Sequence, residues 1–93
     1  MEFTRTSNGF VAYNAAMEVI AEITYAPTEN PDVVAADHTF VDPSLRGQGV
    51  AGQLLDTLVD AMAKEGKKIK AVCPYVVTQF ERNHQYDAIN ADK

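Results

Sequence analysis

The sequence has a single cysteine, no tryptophan, few basic residues and no long apolar run, and each shortage excludes a class of protein. Its one thiol, Cys73, cannot form an internal disulfide, so the fold does not depend on an oxidising compartment. No apolar stretch approaches the roughly 18 residues that a membrane span needs. The first residues lack the basic and then apolar pattern of a signal peptide. We therefore expect a cytoplasmic protein with no membrane partner.

Basic residues are outnumbered, at 8 Lys and Arg against 13 Asp and Glu, which gives a net charge of -5. Nucleic-acid binding needs clustered cations to neutralise phosphates, so we expect no nucleic-acid partner. The one basic cluster, Lys64, Lys67, Lys68 and Lys70, is typical of a solvated helix end and strand start. We also expect no bound metal.

A chain of 93 residues has room for a single core, so residues 1–93 are expected to form one domain and a monomer. Residues 88–93 are expected to be a frayed, disordered tail. Four strands are predicted before the middle of the chain. Phe3 to Arg5 and Phe10 to Tyr13 flank a Ser-Asn-Gly turn, Met17 to Tyr25 alternates with period two, and Val33 to Val41 is rich in β-branched residues.

The second half of the chain predicts a helix, a strand and a short helix. Apolar residues recur at helical spacing from Val50 to Met62, and Gly66 is a plausible helix stop. Lys68 to Cys73 alternates again, and Pro74 suits the first position of a helix that ends near Asn83. The sequence therefore predicts an α/β (α+β) fold, with mostly antiparallel N-terminal strands, a right-handed strand-helix-strand unit and a short C-terminal helix.

The most informative stretch is the glycine-bearing loop that separates the fourth strand from the long helix. Free N–H groups and the positive dipole end make a helix start a phosphate site, and Gly47 and Gly49 would let a ligand approach the backbone. From glycine spacing alone, a plain turn remains the simpler interpretation. A Walker loop needs Lys-Ser or Lys-Thr where Val50-Ala51 stands. Residues 47–52 match the dinucleotide-binding fingerprint Gly-x-Gly-x-x-Gly formally. The antiparallel strands predicted before them nevertheless disfavour a dinucleotide-binding fold.

This loop and the elements on either side of it resemble the Gcn5-related N-acetyltransferase (GNAT) family. The signature of that family is Gln/Arg-x-x-Gly-x-Gly/Ala, and Arg46, Gly49 and Ala51 occupy its defined positions here. The motif stands after a strand and opens a helix, as it does in that family. The chain resembles in particular a subgroup of very short GNAT-like domains with a Cys-Pro dipeptide one strand later, here Cys73-Pro74.

The resemblance implies acetyl-CoA as cosubstrate and assigns residues to it. The amides from Arg46 through Ala51, including Gly47, Gln48, Gly49 and Val50, would hold the coenzyme pyrophosphate. The strand end at Phe40 and Val41 would pair with the pantetheine arm. The thioester would lie where two strands splay apart near His38 and Cys73. Ordinary family members carry helices between their first strands, and here the acceptor side should be open.

Three residues are candidates for the chemistry of acetyl transfer. Cys73 precedes a helix start, which lowers a thiol pKa, so it could accept the acetyl group as a nucleophile; it could equally be a small buried apolar residue. His38 could be a general base or could orient Cys73, although a lone strand histidine is often structural. Tyr75 could protonate the leaving thiolate or simply pack.

Three further residues are weaker candidates. Glu22 is a second possible base, although exposed strand glutamates are common. Arg82 and His84 could approach the coenzyme phosphates or form a solvated helix end.

The sequence leaves three hypotheses for function. The first is an acetyl-CoA-dependent N-acetyltransferase whose acceptor is an amine-bearing small molecule or a protein lysine, which the acidic balance would suit. The second is a non-catalytic coenzyme A-binding regulatory domain. The third is a protein-interaction module with no ligand, which predicts no coenzyme A binding.

Overall fold

The computed structural model describes residues 1–93 as one five-stranded mixed sheet with two helices. The strands lie in chain order, and all neighbours are antiparallel except the last pair, β4 and β5, which is parallel. The elements are β1 (Thr4–Thr6), β2 (Gly9–Tyr13), β3 (Val19–Pro27), β4 (Val33–Val41), α1 (Val50–Lys64), β5 (Lys68–Ala71) and α2 (Pro74–Arg82). The predicted fold class and element order are confirmed.

Helix α1 packs on one face of the sheet because its apolar residues recur on one side. Leu54, Leu55, Leu58 and Met62 are fully buried, and each such side chain contributes about 1.5–3 kcal/mol by leaving water. They meet the inward-facing residues of the strands, among them Ala21, Ile23, Ala36 and Ile69. Small residues on β3 and β4 let the helix approach the sheet closely. The helix ends at Lys64, and Gly66, with a φ of 71°, turns the chain away in a left-handed conformation, as predicted.

The opposite face of the sheet, which we call the open face, faces away from α1. Its side chains on the two central strands are half-buried or exposed. They are Ile20, Glu22, Thr24, His38 and Phe40. No helix of the structure is long and apolar enough to cross a membrane.

A β-bulge in β4 decides which residues face the core. Thr24 pairs with His38 but the next residue, Tyr25, pairs with Ala36, so Asp37 is an extra residue in β4. Because side chains alternate with period two, one extra residue exchanges the two faces beyond it. Thr39 and Val41 therefore continue the inward face of Ala36, and His38 lies on the open face.

Three of the sequence predictions about element ends are wrong. The strand predicted from Lys68 to Cys73 ends at Ala71, because the chain then turns away from β4 into α2. Met17 does not belong to β3: it lies in the preceding turn with a φ of 63°, held by its N–H bond to Asn14 O. The C-terminal residues 88–93 are not a frayed tail. Ile69 N–H donates to Ile89 O and Ala91 N–H donates to Ile69 O, each at 2.8 Å, and Ile89 is buried. The segment adds a short parallel bridge to the edge of β5.

Candidate functional site

Strands β4 and β5 separate at a defined point. Their ladder ends at the pair Ala36 and Ala71, and the N–H groups of both Val72 and Cys73 then donate to Ala36 O. Beyond this point β5 turns into α2, while β4 continues to Val41 with β3 as its sole neighbour. We call the space between residues 37–41 and residues 72–73 the strand gap.

Backbone groups of β4 are turned toward the strand gap at alternate residues. Asp42 N–H donates to Ile20 O, so by alternation the N–H and C=O of Phe40 point to β3 and those of Thr39 and Val41 point to the gap. The gap can therefore accept an extended chain with amide groups, which would pair with it as an added strand.

The loop after β4 is held by its own polar groups. The Asp42 carboxylate accepts hydrogen bonds from the N–H and the hydroxyl of Ser44. The Ser44 hydroxyl contributes most to keeping the pKa of Asp42 below its usual range. Gly47 and Gly49 then take φ values of 83° and 75°, which glycine adopts without strain. This turn brings the chain directly into the first residue of α1.

The backbone N–H groups of this loop are free to bind a ligand. The N–H groups of residues 47–52 donate to no acceptor in the protein, and the first amide after them that does so is that of Gln53, to Gly49 O. A run of free amides at a helix N-terminus, where the dipole is positive, is an anion site that needs no charged side chain. The arrangement suits a phosphate or pyrophosphate.

Tyr75 closes one side of a cavity of about 280 Å³ in front of these amides. The cavity is lined by Val41, Leu45, Arg46, Gly47, Gly49, Val50, Ala51, Gly52 and Tyr75. Burial raises the pKa of Tyr75, and the charge of Asp56 adds to this. The phenol therefore stays protonated at neutral pH, and its O–H is a hydrogen-bond donor.

Cys73 sits at the inner side of the strand gap. It is the residue before α2, it is 6% exposed, and its thiol contacts the hydroxyl of Thr39 with 3.5 Å between Sγ and Oγ1. Sequence reasoning missed Thr39, since its inward orientation depends on the β4 bulge. An unbulged strand would turn His38 inward instead.

His38 lies on the open face, on the other side of the sheet from Cys73. Its Nε2 is 4.0 Å from Glu22 Oε1, and its side chain is 59% exposed. The structure thus pairs the thiol with Thr39 and the imidazole with Glu22, so His38 does not orient Cys73. Both nonetheless border the strand gap, one from each side.

The remaining predicted residues divide into two groups. Arg46 and Gln48 point into the loop itself, with Arg46 Nε donating to Val41 O and Gln48 Nε2 donating to Ser44 O. Arg82 and His84 lie at the far end of α2, and His84 pairs with Asp87 at 3.2 Å. The structure brings neither of the latter two to the loop.

Comparison with known proteins agrees with this geometry. A family model described as GCN5-related N-acetyl-transferase matches residues 9–89. The solution structure of a GCN5-like protein from Staphylococcus aureus is 29% identical, with a TM-score of 0.80; the match covers 96% of this chain and 86% of that one. No curated protein matches the chain.

Longer proteins share part of the fold. YhbS of Escherichia coli, a GNAT family N-acetyltransferase solved in complex with CoA, is 28% identical with a TM-score of 0.61, and the match covers 68% of this chain but 38% of YhbS. The ribosomal-protein-S18-alanine N-acetyltransferase of E. coli is 18% identical, with a TM-score of 0.62 over 84% of this chain and 53% of that one, which shows a shared fold. On the match over residues 9–89, this chain belongs to the GCN5-related N-acetyltransferase family.

Proposed function

We propose that this protein is an acetyl-CoA-dependent N-acetyltransferase. The observation that carries the proposal is the run of free amides at residues 47–52, placed at the end of a gap in the sheet that can hold an extended thioester arm. Family membership supports the reaction class, and the complex of YhbS with CoA supports the cosubstrate.

Coenzyme A would bind along the loop and the strand gap in one direction. The amides of Gly47, Gly49, Val50 and Ala51 would bind the pyrophosphate; the Arg46 amide, which the family resemblance also implicated, is already bonded to Pro43 O. The backbone groups of β4 that face the strand gap would pair with the pantetheine amides. The acetyl thioester would then lie near Cys73, at the point where β4 and β5 separate.

The residues around the strand gap can support acetyl transfer in two steps. The Cys73 sulfur would attack the acetyl carbonyl carbon, and the bond from that carbon to the coenzyme sulfur would break with its electron pair going to the coenzyme sulfur. Tyr75 is the candidate that would give a proton to this leaving thiolate and take the proton of the Cys73 thiol in its place. An ammonium would then give one proton to His38, and the resulting amine would attack the acetyl-cysteine. The bond from the acetyl carbon to the Cys73 sulfur would break, and this sulfur would take the second proton from the nitrogen and return as the thiol. Thr39 would hold the thiol side chain in place.

The covalent step is tested with Cys73→Ala and, as a control of similar volume, Cys73→Ser. We expect wild type incubated with acetyl-CoA to gain the mass of one acetyl group, Cys73→Ala to gain none, and transfer to amines to slow at least about tenfold in the alanine variant. A Cys73→Ala variant as fast as wild type would remove the covalent step and leave direct transfer. Binding of acetyl-CoA without transfer to any amine would instead favour a non-catalytic coenzyme A-binding domain.

A further inference from the structure

The strand gap is closed in two directions. Ahead of an arm that follows β4 inward from the loop, β4 and β5 are paired from Ala36 and Ala71 onward. On the inner side, Cys73 is 6% exposed and Val76 is fully buried, and both belong to the core that α1 covers. The acyl end of a thioester arm in the gap therefore has room to extend over the open face alone.

Val72 is a large apolar side chain beside this opening that the core does not use. It is 51% exposed, and it does not belong to the core cluster. Because side chains alternate along β5 and Ile69 is buried, Val72 lies on the open face with Lys70. Its N–H donates to Ala36 O, so it stands at the first position where the gap is open.

Small side chains form the floor next to Val72. Ala35 lies on the open face of β4, since the residues on either side of it are buried in the core. It pairs with Ala26 of β3 on one side and with Lys70 of β5 on the other. An alkyl chain leaving the gap would lie in this shallow depression and against Val72, and each of its methylene groups would be partly removed from water.

The charged groups around this surface are mostly acidic. Glu22 and Asp37 lie on the open face, and Asp37 accepts a hydrogen bond from the Thr24 hydroxyl at 2.6 Å. The ammonium of Lys70 is paired with Asp92 at 3.4 Å. The local negative charge disfavours an acyl group with a terminal carboxylate, so a neutral alkyl chain is the group that fits.

We propose that the site accepts acyl thioesters of coenzyme A with neutral alkyl chains longer than acetyl, and that the chain leaves the strand gap over Ala35 and Val72. The inference rests on the proposed function and extends its donor from acetyl to short-chain and medium-chain acyl groups. The bonds that form and break at the carbonyl carbon are those of acetyl transfer, because the added methylene groups lie beyond that carbon.

Coenzyme A thioethers test this acyl subsite without any transfer, because a thioether has no carbonyl carbon to attack. Isothermal titration calorimetry would give the Kd of S-ethyl-, S-hexyl- and S-(5-carboxypentyl)-coenzyme A. The last two have chains of equal length and differ in the charge at the end. We expect the S-hexyl thioether to bind about tenfold more tightly than the S-ethyl thioether, since its added methylene groups are each about half removed from water. The carboxypentyl thioether should bind no more tightly than the S-ethyl one.

Two valine substitutions locate the subsite. Val72→Thr keeps the shape of the side chain and replaces a methyl group with a hydroxyl beside the gap. Val19→Thr makes the same change at another exposed position, in β3, where Val19 pairs with Tyr13 of β2. We expect the ratio of the S-ethyl Kd to the S-hexyl Kd to fall from about tenfold to about threefold in Val72→Thr and to stay at the wild-type value in Val19→Thr.

Each outcome bears on a different part of the inference. A ratio near one in wild type would overturn it, and so would equal ratios in wild type and Val72→Thr. Binding of the carboxypentyl thioether as tight as that of the S-hexyl thioether would reject the neutral chain as the preferred class. In all three cases the coenzyme site itself stands, since S-ethyl-coenzyme A binds. If none of the thioethers binds, the proposed function fails and this inference falls with it.

Discussion

Tyr86 connects the two helices that border the candidate site. Its hydroxyl donates to Asp56 Oδ1 at 2.7 Å, and its ring centroid lies 5.4 Å from that of Phe80 in α2. Burial, followed by the Asp56 hydrogen bond, raises the pKa of Tyr86 from 10.0 to about 12. Burial is the main cause that raises the pKa of Tyr75, and the same carboxylate adds to it. One acidic residue of α1 thus favours the protonated form of both tyrosines.

Replacing Tyr86 with Phe should remove this contact and part of the alkaline sensitivity of the fold. A raised pKa means that the folded protein holds the proton more tightly than the unfolded chain, so the stabilisation is complete below pH 10.0 and is lost as the pH rises to about 12. We expect Tyr86→Phe to lose about 1 kcal/mol of unfolding free energy at neutral pH.

Urea denaturation followed by circular dichroism at neutral and alkaline pH measures both effects. Wild type should lose more stability than Tyr86→Phe between pH 10 and 12, with Tyr75 accounting for a remaining decline in the variant. Identical declines in the two proteins would show that the bond to Asp56 does not control the titration.

A glycine in the left-handed conformation flanks helix α1 at each end. Substitution of the glycine that lies far from the loop can therefore serve as a control for substitution of the glycine in the loop. Gly49 precedes the helix with a φ of 75°, and Gly66 follows it with a φ of 71°. A Cβ at either position would meet no heavy atom within 4 Å, so the cost of an alanine is backbone strain alone. The N–H of Gly49 is one of the free amides, whereas Gly66 lies at the opposite end of the helix.

Gly49→Ala and Gly66→Ala should therefore destabilise the protein by similar amounts, about 1 kcal/mol, because alanine is strained at positive φ. Coenzyme A affinity should fall in Gly49→Ala and stay at the wild-type value in Gly66→Ala. Thermal denaturation and isothermal titration calorimetry provide the two measurements. Equal affinity in both variants would mean that the conformation of the loop is not what binds the coenzyme.

The C-terminal segment is an element that the sequence does not reveal. Its apolar content is confined to Ala88, Ile89 and Ala91, so no periodicity marks it, yet its backbone bonds to Ile69 on both sides. Lys68 Nζ donates to Ala88 O at 2.8 Å and Lys70 pairs with Asp92, which explains two of the clustered lysines as structural contacts.

A chain that ends at Asp87 should consequently be less stable than the full chain. Exposing Ile89, which is 8% exposed in the fold, should cost about 2–3 kcal/mol. Urea denaturation of the two chains measures the difference. Equal midpoints would restore the interpretation of these residues as a frayed tail.

For the molecule as a whole, local patterns predicted the elements, and long-range pairing decided the details of the site. Alternation, helical spacing and turn residues place the strands and helices correctly because each depends on neighbours in the chain. The bulge at Asp37 depends on how β4 meets β3, which no local pattern records. That single residue determines that Thr39 reaches Cys73 and that His38 reaches Glu22.

The small size of the molecule leaves the open face of the sheet accessible beside the strand gap. The glycine loop, the gap and Cys73 all lie where the carboxyl ends of β4 and β5 separate. A coenzyme bound there would touch residues that are distant in sequence, from Thr39 to Tyr75. Binding should therefore change these residues together and leave the far edge of the sheet at β1 unchanged.

Titration of the protein with acetyl-CoA, followed by the backbone amide resonances, tests the central claim most directly. We expect saturable shifts of the Gly47, Gly49, Val50 and Ala51 amide resonances, accompanied by those of Thr39 and Cys73, while the amide resonances of β1 do not shift. If the loop amides stay in place while acetyl-CoA is raised to millimolar concentration, or if the shifts fall elsewhere on the protein, the coenzyme site proposed here is wrong.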